Sequence, residues 1–340
     1  MIRKGQWVLG LLIGLLMLSG SLVVNAEKNY FSVSAELPNN QIDEEKAYFD
    51  LKMEPEQEQT VYINIKNDDN VKHTYDVITD LATTSDSGGI IYDTDNSRID
   101  RSLPFNIAEV TTNHKNVIVK AQSTKRVGIT IEMPKKPFRG IALGAINIHQ
   151  QVKKGRESSN NDFSVQNRFG YVIGMKLQEQ KTVTVRPDMK LMYAGPRQVN
   201  GHNHVVAQLQ NPRAVIMEDL KVSSYVTKNG DSKKLLKTTK EKMRMAPNSN
   251  FYYALGDGQK QLKPGKYTLY LNADSEKGKY KWNFKKEFTI TAQKARKLNK
   301  TAVIQPEKVT NWWLVGGLAA VILALLGWII WLLRTRRKED

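Results

Sequence analysis

Val61-Tyr62-Ile63-Asn64-Ile65-Lys66 and Val127-Gly128-Ile129-Thr130-Ile131-Glu132 alternate apolar and other side chains with a period of two. Successive side chains of an extended chain point to opposite faces, so each stretch predicts a strand with one face buried and the other in water. Ile141 to His149 and Tyr171 to Leu177 predict two further strands, the latter rather apolar on both faces and therefore central in its sheet. Asn67-Asp68-Asp69-Asn70, Ser85-Asp86-Ser87-Gly88-Gly89 and Asp93-Thr94-Asp95-Asn96-Ser97 supply turn chemistry, and Gly155 to Asp162 reads as a loop. Long amphipathic helices are hard to place, and an antiparallel β-sandwich is the economical fold.

The second half repeats the pattern. His204 to Asn211, Leu220 to Thr227, Phe251 to Leu255, Lys266 to Asn272 and Lys279 to Ile290 are predicted strands, with Lys228-Asn229-Gly230-Asp231 a hairpin-type turn. In Lys279 to Lys285, alternation puts Tyr280, Trp282 and Phe284 on one face and Lys279, Lys281, Asn283 and Lys285 on the other. The aromatic face reads as core. The lysine face, joined by Lys286, is the candidate contact surface for anions, with a merely solvated face as the equal alternative.

Charge divides the chain. Glu27 to Arg186 carries a net −1, whereas Pro187 to Thr310 carries +14 of the whole chain's +17. Together they span about 284 residues, too long for a typical single sandwich. The expected architecture is mostly β: two tandem immunoglobulin-like β-sandwich domains, 27–186 and 187–291, followed by a juxtamembrane stalk over 292–311 and one C-terminal transmembrane helix. Lys294, Arg296, Lys297 and Lys300 make that stalk basic, either solvated or resting on anionic lipid.

Trp312 to Leu333 is an unbroken apolar run of 22 residues. At about 1.5 Å per residue it reaches about 33 Å, against a hydrocarbon core of about 30 Å. Trp312, Trp313 and Trp331 sit near its ends, where indole rings favour the membrane interface. Arg334, Arg336, Arg337 and Lys338 follow in the 334–340 tail and, by the positive-inside rule, place the C-terminus in the cytoplasm. At the other end, Arg3 and Lys4, the apolar Trp7 to Leu18 and Val24-Asn25-Ala26 read as a signal peptide over 1–26, with an uncleaved anchor as the alternative. The expectation is therefore a single-pass type I protein of the cell membrane with its domains outside, within the cell wall. Cysteine is absent, so an exported chain would fold without disulfides.

No enzyme signature emerges. The chain lacks a thiol, a G-x-S-x-G elbow, an H-E-x-x-H helix and a phosphate-cradling glycine loop. His202 and His204 have the i, i+2 spacing of a strand-borne metal pair, but two ligands after Asn200-Gly201 read more readily as a polar turn. Asp93, Asp95 and Ser97 mimic the opening of a calcium loop, yet Arg98 and Pro104 occupy the positions of its glycine and bidentate glutamate. No catalytic residue, metal or cofactor is expected. Tyr92 is a candidate sugar contact or an ordinary strand-end tyrosine. Nucleic acid is not an expected partner.

Several stretches, in order, resemble the WxL-interacting proteins. Phe31-Ser32-Val33-Ser34, Leu37-Pro38-Asn39-Asn40-Gln41, Tyr48-Phe49-Asp50-Leu51, Met133-Pro134-Lys135-Lys136-Pro137-Phe138-Arg139-Gly140-Ile141 and Tyr171-Val172-Ile173-Gly174 look like that family's first domain. Leu209-Gln210-Asn211-Pro212, Met245-Ala246-Pro247-Asn248-Ser249-Asn250-Phe251 and Gly265-Lys266-Tyr267-Thr268-Leu269 look like its second. The resemblance implies a non-catalytic surface protein of Gram-positive bacteria, with a peptidoglycan-binding domain, a host-binding domain and WxL-domain surface proteins as partners. It carries over no individual contact residue. The basic second half adds anionic wall polymers and acidic host ligands to the expected partners. An extracytoplasmic chaperone that captures clients by strand addition, and a wall hydrolase, are the alternative functions.

Overall fold

A computed structural model describes residues 30–92, 99–151, 170–303, 317, 318, 320 and 322–325. The first nine strands are β1 (Phe31–Glu36), β2 (Phe49–Lys52), β3 (Glu58–Asn67), β4 (His73–Thr84), β5 (Ile90–Tyr92), β6 (His114–Val119), β7 (Ser123–Glu132), β8 (Ala142–Gln150) and β9 (Gly170–Gln178). They form a three-stranded sheet ordered β1-β3-β7 and a six-stranded sheet ordered β2-β9-β8-β4-β5, with β6 also paired to β4. Val61, Ile63 and Ile65 of β3 and Val127, Ile129 and Ile131 of β7 bury the predicted faces. Across the core they share one cluster with Tyr75, Val77, Ile146, Ile148, Met175 and Leu177 of the larger sheet. Each such side chain contributes roughly 1.5–3 kcal/mol by leaving water, set against the entropy of ordering the chain.

Between β1 and β2 the chain changes sheets: β1 pairs antiparallel with β3, whereas β2 runs parallel to β9. Gln41 organises the crossing. Its buried amide donates to Asp43 O at 3.1 Å and Tyr48 O at 2.7 Å and accepts from the Asp50 backbone N–H at 3.1 Å.

Seven more strands pair only among themselves: β10 (Lys190–Val199), β11 (His202–Asn211), β12 (Met217–Lys228), β13 (Lys234–Met245), β14 (Ser249–Leu255), β15 (Gly265–Ser275) and β16 (Tyr280–Ile290). Their sheets, β10-β11-β14 and β13-β12-β15-β16, enclose a second core of Leu209, Phe251, Tyr253, Val222, Leu269 and their neighbours. β13 carries Lys234, Lys237, Lys240 and Lys242 and lacked an apolar signal, because it is an edge strand whose charges discourage pairing with other chains. β10 was hidden by Gly195 and Pro196, also at an edge. The turn Lys228 to Asp231 joins β12 to β13, with Gly230 at φ +80° and Asp231 N–H donating to Lys228 O at 3.0 Å.

The stretch after β16 corrects the expectation of a stalk in its first part. Helix α1 (Ala292–Thr301) is capped by Thr291, whose side chain accepts from Lys294 N–H. It packs on the second sandwich through buried Ala295. Asn299 Oδ1 accepts from Leu262 N–H at 2.9 Å, its Nδ2 donates to Leu262 O at 3.0 Å, and Gln198 Nε2 donates to Leu298 O at 2.7 Å. The basic side chains of this segment project outward from a docked helix. The signal-peptide expectation over 1–26, the loop within 155–162, residues 304–311 and the 334–340 tail lie outside the described residues. Of the expected 312–333 span, positions 317, 318, 320 and 322–325 are described and helical. Among the described residues no helix is long and apolar enough to cross a membrane.

The two sandwiches meet along a polar seam. Asp100 accepts from Gln210 Nε2 at 2.7 Å and Asn250 Nδ2 at 2.8 Å, and from the backbone and side chain of Ser102 at 2.9 and 2.7 Å. Burial opposes its ionisation, but these donors outweigh it and hold the carboxyl below its ordinary range. Thr84 Oγ1 lies 2.6 Å from Ser249 Oγ and accepts from Ala246 N–H. Ile141 N–H donates to Ala214 O at 2.7 Å. Ala82, Ile141, Leu143 and Ala246 form a small apolar cluster in the same seam.

Candidate binding surfaces

β16 is the edge strand predicted to carry an anion-contact face. Trp282 and Phe284 turn inward against the second core, while Lys281, Asn283 and Lys285 are exposed. Lys279 precedes the strand and is bound to Glu276 Oε2 at 2.9 Å. That hydrogen bond and one to Tyr280 hold its ammonium above the ordinary lysine range. Lys286 does not join the lysine face. It has the parity of Trp282 and Phe284 and donates Nζ to Met192 O of β10 at 3.0 Å, as a two-residue period requires.

Register extends the outward face over four strands. Lys285 stands opposite Tyr270 of β15, Tyr270 opposite Tyr225 of β12, and Tyr225 opposite Lys237 of β13. The Tyr225 and Tyr270 rings stack with centroids 4.8 Å apart and planes 13° apart. Lys234 Nζ lies 4.5 Å from the Tyr225 centroid, and Lys285 Nζ lies 5.6 Å from that of Tyr270. Beside this row runs a polar one: Thr239, Ser223, Asn272 and Asn283. Sequence reasoning overlooked Tyr225 and Tyr270, although each occupies a polar-phase position of its strand.

The first sandwich has a groove of about 510 Å³ beside the β1–β2 crossing, lined by Asn40, Ile42, Lys52, Glu54, Gln57 and Lys181, with Gln41 beneath. Asn40 is fixed by reciprocal amide bonds with Gln59, both 2.8 Å, and by Lys52 O at 2.8 Å. Gln57 Oε1 accepts from Glu54 N–H at 2.8 Å. The groove thus offers amides, two ammonium groups and a carboxylate on a braced backbone.

Other candidates fall elsewhere. Tyr92 packs on the seam cluster, and burial raises its phenol pKa against the opposing Arg244 guanidinium. His204 Nδ1 lies 3.2 Å from Leu255 O, and no group of three metal-ligating side chains occurs among the described residues. The calcium-loop mimic at 93–98, the anchors Trp312, Trp313 and Trp331, and Arg334, Arg336, Arg337 and Lys338 lie outside the described residues.

Comparison with known families matches residues 31–150 to the WxL Interacting Protein peptidoglycan binding domain. Residues 160–300 match the WxL Interacting Protein host binding domain. The chain belongs to the WxL-interacting protein family. The groove lies in the neighbourhood of the first matched domain, Lys181 excepted, and the Tyr225–Tyr270 face lies in the second. No curated protein matches the chain. Among solved structures, the YadV chaperone aligns at 11% identity and TM-score 0.30, covering 77% of this chain and 100% of its own. The CsuC–CsuE chaperone complex of Acinetobacter baumannii aligns at 10% identity and TM-score 0.32, covering 76% and 98%. Likenesses this distant carry no functional weight.

Proposed function

We propose that this WxL-interacting protein is a membrane-anchored surface scaffold of a Gram-positive cell, with two immunoglobulin-like sandwiches. The first binds peptidoglycan and WxL-domain partners, and the second meets host ligands. The observation that carries this reading is the pair of domain matches in order, 31–150 and then 160–300. In the first sandwich the groove supplies the contact site. Its amides suit sugar hydroxyls and peptide groups, and Lys52, Lys181 and Glu54 suit the charged ends of short stem peptides. Both domain descriptions name binding rather than catalysis.

Anchoring rests on Trp312 to Leu333 and the cationic cluster after it. Leu318 and Leu323 are 68% and 69% exposed, apolar surface that a bilayer would cover. With the span so oriented, both sandwiches stand on the outer side, close to the membrane.

The test is cosedimentation of the detergent-solubilised full-length chain with sacculi stripped of teichoic acids, at low and moderate salt. The chain is expected to pellet in both. A chain that stays in solution, or pellets only at low salt, would overturn the peptidoglycan role, because an unspecific charge contact is screened within about 10 Å at 0.1 M salt.

A further inference from the structure

We infer that the outward face of the β13-β12-β15-β16 sheet binds an acidic polysaccharide, a glycan chain bearing carboxylate or sulfate groups. This deepens the host-binding reading of the second domain and rests on it. Lys234, Lys237 and Lys285 meet the charges, while Tyr225, Tyr270 and Asn272 meet the sugar hydroxyls.

The first support is the order of the stack. Each tyrosine has one ring face on the other tyrosine and a lysine ammonium near its ring: Lys234 at 4.5 Å from Tyr225 and Lys285 at 5.6 Å from Tyr270. Cation–π contact restrains both lysines, so less rotamer freedom remains to be lost when an anion binds. The row crosses four strands, and at about 4.8 Å per strand it extends roughly 14 Å. That is a linear array suited to a polymer rather than to a single small anion.

The second support is the charge balance of the face. Lys221 is bound to Glu241 at 2.8 Å and Lys279 to Glu276 at 2.9 Å, and Lys281 stands opposite Asp274. Glu287, two residues beyond Lys285, stands opposite Thr268. Among the described residues Lys234, Lys237 and Lys285 make no ion pair, so the positive charge beside the tyrosines is left for a ligand. The adjoining hydroxyls and amides of Ser223, Asn272 and Asn283 favour a glycan, which is dense in hydroxyls, over a polyol phosphate, which offers few.

The experiment is surface plasmon resonance with the detergent-solubilised full-length chain over immobilised heparin, desulfated heparin and poly(glycerol phosphate), alongside adhesion to whole host extracellular matrix. Wild type is expected to bind heparin, to weaken as salt rises and to prefer it over both other polymers. The double variant K234Q/K285Q is expected to lose about tenfold in affinity. The α1 variant K294Q/K297Q, which removes the same charge elsewhere, should stay within about twofold. The variant Tyr270→Leu should also weaken binding while its melting temperature stays near wild type. Equal loss in the two lysine double variants, or equal binding to poly(glycerol phosphate), would overturn the glycan site. Matrix adhesion without heparin binding would overturn the ligand class and leave the host-binding reading standing. Loss of both would overturn the two together.

Discussion

Gln210 donates its side-chain amide to the Asp100 carboxylate across the seam between the sandwiches, at 2.7 Å, and Asn250 donates to the other carboxylate oxygen at 2.8 Å. One carboxylate of the first sandwich thus receives two strands of the second. Replacing Asp100 with Ala leaves both amides without their acceptor, at a cost of roughly 1–3 kcal/mol for the buried Gln210 and less for the half-buried Asn250. Calorimetry of D100A should show a lower melting transition, with the second sandwich unfolding separately. An unchanged single transition would contradict the role of the seam.

Acid should act on the same contact. The folded carboxyl of Asp100 titrates below the ordinary value of 3.8, so its ionised form stabilises the folded state above that value. The contribution is lost as pH falls from about 3.8 through the lower folded value. Denaturant midpoints measured between pH 6 and 2 should fall less steeply for D100N than for wild type.

Base should act on the second core. Tyr253 donates to Val222 O at 3.0 Å and lies 3.1 Å from Thr238 O, and burial pushes its phenol up to about 12. Because the folded state holds this proton more tightly, stability is fully present below about pH 10 and declines as pH rises toward 12. Tyr253→Phe should flatten that decline and cost about 1 kcal/mol near neutrality, both read from chemical denaturation.

Two glycines should respond differently to substitution. Gly140 sits at φ +111°, and a Cβ there would lie 2.1 Å from Ala214 O, so Gly140→Ala must force the sandwiches apart. Gly230, at φ +80°, has nothing within 4 Å, so Gly230→Ala incurs only the left-handed backbone cost of about 1–2 kcal/mol. Melting temperatures of the two variants should separate clearly, with Gly140→Ala the lower.

Docking of α1 is testable through Asn299. Asn299→Ala removes both bonds to the Leu262 backbone and the one to Asn203, leaving partly buried groups unpaired. Hydrogen exchange in Ala292–Thr301 should rise in the variant while β11 and β14 stay protected.

Period-two alternation revealed β3, β7 and most of the second sandwich, because half-buried strands write their burial into the chain, whereas β8, buried along seven successive positions, and β9 stood out as apolar runs. The edge strands β10 and β13 escaped, since a strand with few inward contacts needs few apolar residues. The helix α1 escaped for a similar reason: only Ala295 of its ten residues is buried. Lys286 was misplaced by adjacency, where parity puts it on the opposite face from Lys285. The motifs that marked the family proved informative in another way. Gly140, Gln210, Asn248, Ser249 and Asn250 all belong to the seam, and Gln41 braces the β1–β2 crossing. They are legible as a set, but the seam residues among them act through partners distant in sequence, such as Gln210 with Asp100, 110 residues away.

The most direct measurement compares sacculus binding by full-length Gln57→Ala/Lys181→Gln, in the groove, with K234Q/K285Q, on the sheet face. The groove variant should lose most of its pelleting with teichoic-acid-free sacculi while the face variant pellets like wild type. Undiminished pelleting of the groove variant, or an equal loss in both, would contradict separate surfaces for wall and host.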